Sequence, residues 1–420
     1  MNVALVNTNR YLSPPVVPIG LEYLVAPLEE AGHTPSILDL SFSEDPPGDI
    51  TTFLNSSRPD IIGFSVRNID TSIFGNDVFF LEDVKRLITK VREHADVPTV
   101  AGGSSTLCSQ EPLREYLGVD YLVYGPGEMA LPELLDTLRT GKEAPRMIDG
   151  WASGITPGLT HKRAALVDYG PYLKEGNPAG LEFRKGCTWE CPFCVERNRP
   201  VRAREIPAVI EEARALAQAG VVRIFICDSE VNADIDRTNS LLEALARDDL
   251  GIDWTGYFRP APFDRDMARL AAASGCRTLT LSVNSWDFSQ ADSPYDARDV
   301  SLVCKLLKDE GIRIAVDLLI GYPGEERDSV EKALELLRGL EPATVGVNPY
   351  IRLFEGTPVS HVATTSPAGG RLVGQTGNNP GMLKPVFYTN IDGDWLKKRI
   401  SGDALFVLEG TKETVNYERI

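Results

Sequence analysis

The chain has 420 residues, of which 43% are hydrophobic and 25% are charged, and its formal net charge is −17. This is the composition of a soluble protein long enough for two or three domains, and no apolar run reaches the roughly 18 residues of a membrane-spanning helix. The acidic balance argues against a nucleic-acid partner and favours a small-molecule substrate. The strand-like start predicts no signal peptide, and the odd number of cysteines, seven, predicts thiols in a reducing cytoplasm.

The first 140 residues alternate between strand-like and helix-like segments. The predicted strands are 3–7, 36–40, 61–66, 98–103 and 121–125. This alternation predicts an α/β domain with a doubly wound, Rossmann-like parallel sheet, whose ligand site lies beyond the carboxyl ends of the strands. The loops at those ends are small, polar and contain glycine, which suits the close approach of a large flat ligand. They span 7–11, 65–70, 102–105 and 125–128.

A glycine- and proline-rich stretch at 150–163 predicts a linker, and a second alternating series follows it. Its predicted strands are 181–186, 221–229, 253–259, 277–283, 312–321 and 344–351. Gly220, Gly275 and Gly311 are predicted to end helices, and Asp328 with Glu331 to form a capping box. Six strand–helix units predict a partial (βα)6 barrel of the TIM type. We therefore expect four regions: a Rossmann-like domain at 1–145, a linker at 146–178, the barrel at 179–358, and a small irregular C-terminal cap or substrate region at 359–420.

Three of the seven cysteines lie together in the stretch KGCTWECPFCVER. Cys187, Cys191 and Cys194 have the spacing C-x3-C-x2-C. Thiolates bind zinc or iron–sulfur clusters, but a structural zinc site needs four ligands and the four histidines are isolated in the sequence. A four-iron cluster held by three cysteines leaves one iron open, as a catalytic site requires. The spacing favours such a 4Fe-4S cluster, with zinc and unrelated surface cysteines as the alternatives.

Five motifs follow one another along 180–360: GCTWECPFC, FICDSEVN, GYFRPAPFDRDMARLAAASGC, GIRIAVDLLIGYPGE and NPYIRLFEGTPV. Together they resemble the motifs of the radical S-adenosylmethionine (SAM) superfamily. The resemblance implies reductive cleavage of SAM at a 4Fe-4S cluster, giving a 5′-deoxyadenosyl radical. It also implies SAM contacts from Phe193, Asp228, Glu230, Asn232, Arg259, Ser282, Asn284 and Asp317. The strand-end residues could equally be solvated polar groups, and Arg259 could form an internal salt bridge. Asn284 departs from the family pattern, because many members carry glutamate there, and an amide can only hydrogen-bond.

The N-terminal region contains four further segments of interest: VVPIGLEYLVAPLEEAGHTPSILDL, DIIGFSVRNIDTS, VPTVAGGSSTL and GVDYLVYGPGEMALPELL. This combination resembles the cobalamin-binding domain of cobalamin-dependent radical SAM enzymes. It implies cobalamin contacts from Asn7, Arg10, Tyr11, Ser65, Val66, Arg67, Gly102, Gly103, Ser104, Gly127 and Glu128. The cobalt-binding Asp-x-His-x-x-Gly signature is absent from the sequence, and His33 is expected at a helix end. The alternative is a domain that has lost cobalamin and whose loops only close the active site.

Together the resemblances imply a cobalamin-dependent radical SAM methyltransferase that acts on a small, natural-product type molecule in biosynthesis. Its electrons would come from an external one-electron reductant such as flavodoxin or ferredoxin, and we expect no membrane partner. One alternative is an enzyme of the same architecture that catalyses rearrangement, ring formation or 3-amino-3-carboxypropyl transfer. Another is a non-catalytic metal-binding or electron-carrier protein. Trp286, Tyr322, Arg352 and Tyr388 are candidates for substrate contacts or for packing.

Overall fold

The computed structural model describes residues 1–174, 177–288, 293–366 and 368–411. The chain forms two compact units. The first comprises 1–71, 78–185 and 200–221, and the second comprises 72–77, 186–199 and 222–420. The stretch predicted as a linker therefore lies within the first unit, and the three-cysteine loop lies within the second. Residues 412–420 of the predicted C-terminal region lie outside the described residues.

A six-stranded parallel sheet forms the centre of the first unit. Its strands are β1 (Asn2–Asn7), β2 (Thr34–Asp39), β3 (Ile61–Ser65), β4 (Thr99–Gly102), β5 (Tyr121–Tyr124) and β6 (Met147–Asp149). The helices between them are α1 (Ile19–Glu30), α2 (Pro46–Ser57), α3 (Leu81–His94), α4 (Gln110–Leu117) and α5 (Ala130–Arg139). The strand order is β2-β1-β3-β4-β5-β6, which is a doubly wound arrangement. The five predicted strands are confirmed, and β6 is an addition to them.

Burial explains why these segments form a covered parallel sheet. Four consecutive residues of β1, Val3 to Val6, are at most 1% exposed, as expected for a strand packed on both faces. On the helix side, α1 packs against α5, while α3 packs against α2 and α4. The two helix groups cover the sheet and leave the loops at its carboxyl ends for a ligand.

The rest of the first unit consists of short elements and one longer helix. They are α6 (Gly150–Ser153), α7 (Gly170–Leu173), β7 (Ala179–Leu181), β8 (Arg184–Lys185), β9 (Arg202–Ala203) and α8 (Ile206–Gln218). The prediction of one strand over 181–186 was wrong, because that segment is divided between β7 and β8. Side chains take the backbone groups of Glu182: its N–H donates to Tyr23 Oη at 3.0 Å and its carbonyl accepts from Arg204 Nη1 at 2.8 Å. These bonds replace the ladder that would continue the strand.

The second unit contains the remaining strands and helices. The strands are β10 (Arg223–Ile226), β11 (Asp253–Phe258), β12 (Thr278–Asn284), β13 (Arg313–Leu319), β14 (Thr344–Asn348), β15 (Ile351–Arg352), β16 (Arg371–Gly374), β17 (Val386–Thr389) and β18 (Phe406–Leu408). The helices are α9 (Ile235–Asp248), α10 (Arg265–Ala273), α11 (Ala297–Asp309), α12 (Arg327–Leu340), α13 (Pro358–Thr365) and α14 (Gly393–Ile400). Within this unit the parallel strands follow the order β10-β11-β12-β13-β14-β18. The alternation of strands and helices confirms the predicted α/β class.

Two local expectations were wrong in the second unit. The capping box is not formed as predicted: α12 begins at Arg327 after Glu326, and Asp328 pairs with Lys332 at 2.6 Å. The C-terminal region is also more regular than expected. β15, β17 and β16 form an antiparallel sheet, and β18 joins the parallel sheet beside β14.

The predicted glycine stops of three helices are confirmed. Gly220, Gly275 and Gly311 follow the C-caps of α8, α10 and α11 with φ of 87°, 99° and 72°. Only glycine adopts this left-handed conformation without strain. Among the helices that the structure describes, none combines the length and the apolar character needed to cross a bilayer.

Candidate active site

The three-cysteine loop has no regular strand or helix and is closed by its own backbone. Arg199 N–H donates to Cys187 O and Asn198 N–H to Trp189 O, both at 2.8 Å, and Cys194 N–H donates to Cys191 O at 3.2 Å. These bonds fold the loop back on itself. The three side chains are thiols without a disulfide, and they are buried or half-buried.

The electrostatics of the thiols show that they face a common region. Burial raises the pKa of Cys187 to about 11 and that of Cys194 to about 12, and it also raises the pKa of Cys191. Negative charge on Cys191 raises the pKa values of Cys187 and Cys194 further. Three thiolates in this position therefore need a cationic centre to hold them together.

The donor set of the loop fits an iron–sulfur cluster. A structural zinc site takes four protein ligands, and this loop offers three thiolates. In an iron–sulfur cube each cysteine binds a different iron, and three cysteines leave one iron open. Three soft thiolates on one closed loop fit that second kind of centre.

Arg259 lies directly beside this loop. It follows the last residue of β11, is 5% exposed, and its Nη2 donates to Cys191 Sγ at 2.8 Å. Its guanidinium carbon lies 4.4 Å from the centre of the Trp189 ring, and its Nε lies 3.8 Å from Glu230 Oε1. The structure therefore places Arg259 between a predicted cluster ligand and a carboxylate.

Asn232, predicted as a SAM contact, fixes the backbone of Arg259 through its side-chain amide. Its Nδ2 donates to Arg259 O at 2.9 Å and to Pro262 O at 2.7 Å, and its Oδ1 accepts from Arg259 N–H at 2.9 Å. The side chain is fully buried. Its amide is thus committed to holding the end of β11. In the same loop, Asp228 is buried, and Ser229 donates to Glu196 of the cysteine loop.

Asn284 is paired with a carboxylate that the sequence reasoning missed. Its Nδ2 donates to Asp287 Oδ2 at 3.0 Å, and its backbone N–H donates to Tyr295 Oη at 2.7 Å. Burial raises the pKa of Asp287, while its hydrogen bonds and Arg259 oppose the shift. Where many superfamily members have a glutamate, this chain therefore has an amide with a buried carboxyl group behind it. The acidic residue three positions later was the available signal.

The predicted contacts Ser282 and Asp317 are neighbours across β12 and β13. Both are half-buried, whereas Leu281 and Val316 beside them are fully buried. Because side chains alternate along a strand, Ser282 and Asp317 share the less covered face of the sheet.

Aromatic side chains adjoin the last cysteines of the loop. The ring of Phe193 meets Trp286 edge to face at 6.0 Å, and Trp286 lies 5.1 Å from Tyr322. The buried carboxylate of Glu325, also missed, accepts from Gly321 N–H at 2.7 Å and holds this turn. Of the other two substrate candidates, Tyr388 is fully buried and Arg352 donates to main-chain carbonyls.

In the first unit, the predicted cobalamin contacts lie at the carboxyl edge of the sheet. Asn7, Ser65 and Gly102 are register partners on β1, β3 and β4. Gly103 has φ +109°, and a Cβ there would lie 2.6 Å from Val66 O. Close packing of the two loops therefore requires glycine at that position.

Several of these residues already have protein partners within the first unit. Asn7 donates to Asp39 and Ser41, both at 2.9 Å, and Arg10 donates to Ser43 O at 2.7 Å. The ring of Tyr11 lies 5.3 Å from Phe80, and Ser104 donates to Arg67 O. These contacts order the loops. Gly127 packs closely against Leu24, since a Cβ at Gly127 would lie 3.1 Å from the Leu24 side chain.

Glu128 is paired with a buried lysine. Its Oε1 lies 3.1 Å from Lys185 Nζ, which also pairs with Glu182 at 2.5 Å. Burial lowers the pKa of Lys185, but the two carboxylates outweigh it and raise the pKa. His33 lies at the end of α1, as expected: its N–H donates to Leu28 O.

Comparisons with known proteins support the family resemblances of both the N-terminal region and the region that contains the cysteine loop. Residues 181–337 match the family model of the radical SAM superfamily, and residues 10–135 match that of the B12 binding domain. Tryptophan 2-C-methyltransferase of Streptomyces laurentii is 26% identical over 84% of this chain and 72% of its own length.

Two solved structures of the radical SAM methyltransferase TsrM from Kitasatospora setae are also similar, each at 25% identity. The one with cobalamin and a 4Fe-4S cluster bound has a TM-score of 0.84 over 92% of this chain and 87% of its own. The one with tryptophan and a SAM analogue bound has a TM-score of 0.87 over 99% of this chain and 93% of its own.

These findings define the chain as an enzyme of the radical SAM superfamily. More narrowly, it belongs to the cobalamin-dependent radical SAM enzymes, which join this domain to a B12-binding domain. The predicted fold class and the predicted cofactors, a 4Fe-4S cluster, SAM and cobalamin, are confirmed.

Proposed function

We propose that this enzyme transfers a methyl group from SAM to a small molecule in a cobalamin-dependent reaction. The observation that carries the proposal is the similarity of nearly the whole chain, both domains included, to a methyltransferase structure with tryptophan bound. A radical SAM domain alone would support many reactions. A B12-binding domain in the same chain favours methyl transfer among them.

The residues described above have distinct tasks in this proposal. Cys187, Cys191 and Cys194 would hold the cluster, whose open iron is available to SAM. When bound, the cluster supplies single electrons and cobalamin supplies a carrier for the methyl group. The aromatic side chains of Phe193 and Trp286 would exclude water beside the last cysteine.

The polar residues of the second unit would orient SAM. The Asn284 amide is held by Asp287, so its carbonyl oxygen is directed away from that carboxylate and can accept from an amino or hydroxyl group. Ser282 and Asp317, on the less covered face of the sheet, would offer a hydroxyl and a carboxylate to the ligand. Asn232 and Glu128 would support the sites without contacting a ligand themselves, since their side chains bond to other protein groups.

The loops at the carboxyl edge of the first sheet would hold cobalamin. The small residues Gly102, Gly103 and Gly127 permit a large ring to approach the backbone, while Arg10, Tyr11 and Arg67 border the same edge. None of the residues predicted for this edge is a histidine. The cobalt would therefore not receive an imidazole from this set, which suits a centre that accepts and donates methyl groups.

We further propose tryptophan or a related indole amino acid as the first substrate to test, because two relatives are methyltransferases associated with tryptophan. A flavodoxin or ferredoxin would supply electrons. We also propose a cytoplasmic location, because a cluster loop needs its cysteines reduced and the cytoplasm keeps thiols reduced.

Product analysis tests this function. The anaerobically reconstituted enzyme, loaded with cobalamin, is incubated with SAM labelled in its methyl group and with tryptophan, followed by mass spectrometry. Methyl transfer predicts S-adenosylhomocysteine and a substrate that gains the label. 5′-Deoxyadenosine would accompany them if SAM also serves as the radical source. Methylthioadenosine as the main product would contradict the proposal and indicate aminocarboxypropyl transfer instead. Omitting cobalamin is the matched control and should abolish the labelled product.

A further inference from the structure

A hydrogen bond joins a buried cation, Arg259, to a sulfur of the cysteine loop. Arg259 Nη2 lies 2.8 Å from Cys191 Sγ. Such a distance is short for an N–H···S bond. Arg259 is only 5% exposed, so water competes weakly for its donors.

Several contacts hold the guanidinium in this position. Asn232 fixes the Arg259 backbone through two reciprocal bonds of 2.9 Å. The Trp189 ring lies under the guanidinium at 4.4 Å, and Glu230 lies 3.8 Å from its Nε. Since Trp189 belongs to the cysteine loop itself, the cation is fixed against that loop from two directions.

A fixed cation at a ligand sulfur has a definite effect on a redox centre. Reduction adds one negative charge to an iron–sulfur cluster, and its potential depends on hydrogen bonds to the sulfurs, on net charge and on solvent exposure. A buried guanidinium that donates to a thiolate therefore stabilises the reduced form more than the oxidised form. The Glu230 carboxylate opposes this effect, but it lies 3.8 Å from Arg259 Nε and makes no hydrogen bond there, whereas Nη2 donates directly to the sulfur at 2.8 Å.

We propose that Arg259 is a positioning residue that raises the reduction potential of the cluster through its hydrogen bond to the Cys191 sulfur. The proposal rests on the proposed function only through the presence of the cluster, and it does not depend on which group is transferred. It assigns to Arg259 a task separate from holding the SAM carboxylate.

The test is a potentiometric titration of the reconstituted full-length enzyme, followed by electron paramagnetic resonance in the absence of SAM. The variants are Arg259→Met, Arg259→Gln and Arg259→Lys, each compared at equal iron and sulfide content. Arg259→Met should lower the midpoint potential. A tenfold loss in the relative stabilisation of the reduced form corresponds to about 59 mV for one electron. Arg259→Gln keeps a donor without charge and should shift less, and Arg259→Lys should shift least.

A matched control removes a cation of the same unit that does not reach the loop. Arg277 pairs with Asp253 at 3.0 Å and its side chain is 69% exposed, so Arg277→Gln should leave the midpoint potential unchanged. Gln and Lys variants that load the cluster keep the test decisive if the Met variant folds poorly. Equal midpoint potentials in wild type and in all loaded Arg259 variants would overturn the proposal.

SAM binding, measured separately by equilibrium dialysis, distinguishes the competing role. If Arg259 served only the SAM carboxylate, its variants would bind SAM more weakly while the SAM-free potential stayed constant, and the proposal would be wrong. A lowered potential in an enzyme that transfers no methyl group would support this inference and refute the proposed function. The two proposals can therefore fail independently.

Discussion

Replacing Arg163 by methionine should destabilise the first unit more than any surface substitution nearby. Arg163 lies at the end of the stretch predicted as a linker, and its side chain is fully buried. Its Nε lies 2.8 Å from Glu22 Oε2, and its Nη1 lies 2.5 Å from Glu212 Oε1. It also donates to Gly180 O and Tyr169 Oη, both at 2.9 Å.

The size of the effect follows from this burial. Methionine fills much of the volume but leaves two buried carboxylates without their shared cation. Glu212 retains Arg204 at 2.7 Å, whereas Glu22 keeps only neutral donors such as Tyr169. Removing one partner of a buried ion pair typically costs about 3–5 kcal/mol, which is a large share of the stability of a domain.

Urea unfolding of the full chain, with hydrogen exchange followed in α1, measures this loss. The neighbouring Lys162 is the matched control: it pairs with Glu29 at 2.5 Å, but the two side chains are 56% and 40% exposed. Lys162→Met should cost less than about 1 kcal/mol, because exposed pairs contribute little. If Arg163→Met cost no more than Lys162→Met, the reasoning from burial would be refuted.

Three further predictions concern the site and its support. Cys191→Ala should abolish the iron–sulfur absorbance and methyl transfer. Cys304→Ala, at a fully buried position in α11, should retain both. Equal absorbance spectra of the two variants would contradict the ligand assignment. Gly103→Ala should weaken cobalamin binding at least tenfold in a spectroscopic titration and lower the free energy of unfolding by about 1–3 kcal/mol. The control is Gly118→Ala, because Gly118 has φ +71° but open space around it. This variant should lower the free energy of unfolding by about 1 kcal/mol and leave cobalamin binding intact. Burial and then nearby cations lower the pKa of His161 to about 2, so the folded protein keeps this side chain neutral while the unfolded chain protonates it near pH 6.5. The stability that the neutral His161 contributes is therefore present above about pH 6.5 and lost as the pH falls. The loss of unfolding free energy between pH 8 and pH 5 should be about 2 kcal/mol, and His161→Gln should flatten that part of the stability profile.

The sequence predicted the fold class and the cluster loop because both depend on local patterns, whereas SAM and cobalamin were implied by the family resemblances. The spacing of apolar residues predicted the five strands of the first sheet, and glycines after the helical segments predicted where three helices end. The spacing C-x3-C-x2-C likewise concentrates three thiolates on one loop whatever surrounds them. These features need only residues that are close in the sequence.

Two local predictions failed where another contact took the groups concerned. Glu182 leaves its predicted strand because Tyr23 and Arg204, which are distant in the sequence, take its backbone groups. Asp328 instead pairs with Lys332 one helical turn later, so a competing local contact replaces the predicted capping box of α12.

By itself, the sequence determined which chemistry this protein can hold. It placed a three-cysteine loop in one domain and, ahead of it, a parallel sheet with glycine-containing ends that resembles a B12-binding domain. Only the tertiary structure decided how the polar residues divide their work. Asn232 and Arg259 are 27 residues apart in the chain, yet one fixes the backbone of the other, and the guanidinium then reaches Cys191. Hydrogen bonds act over about 3 Å. Their partners are therefore set by the packing of strands and loops, which no spacing in the sequence records.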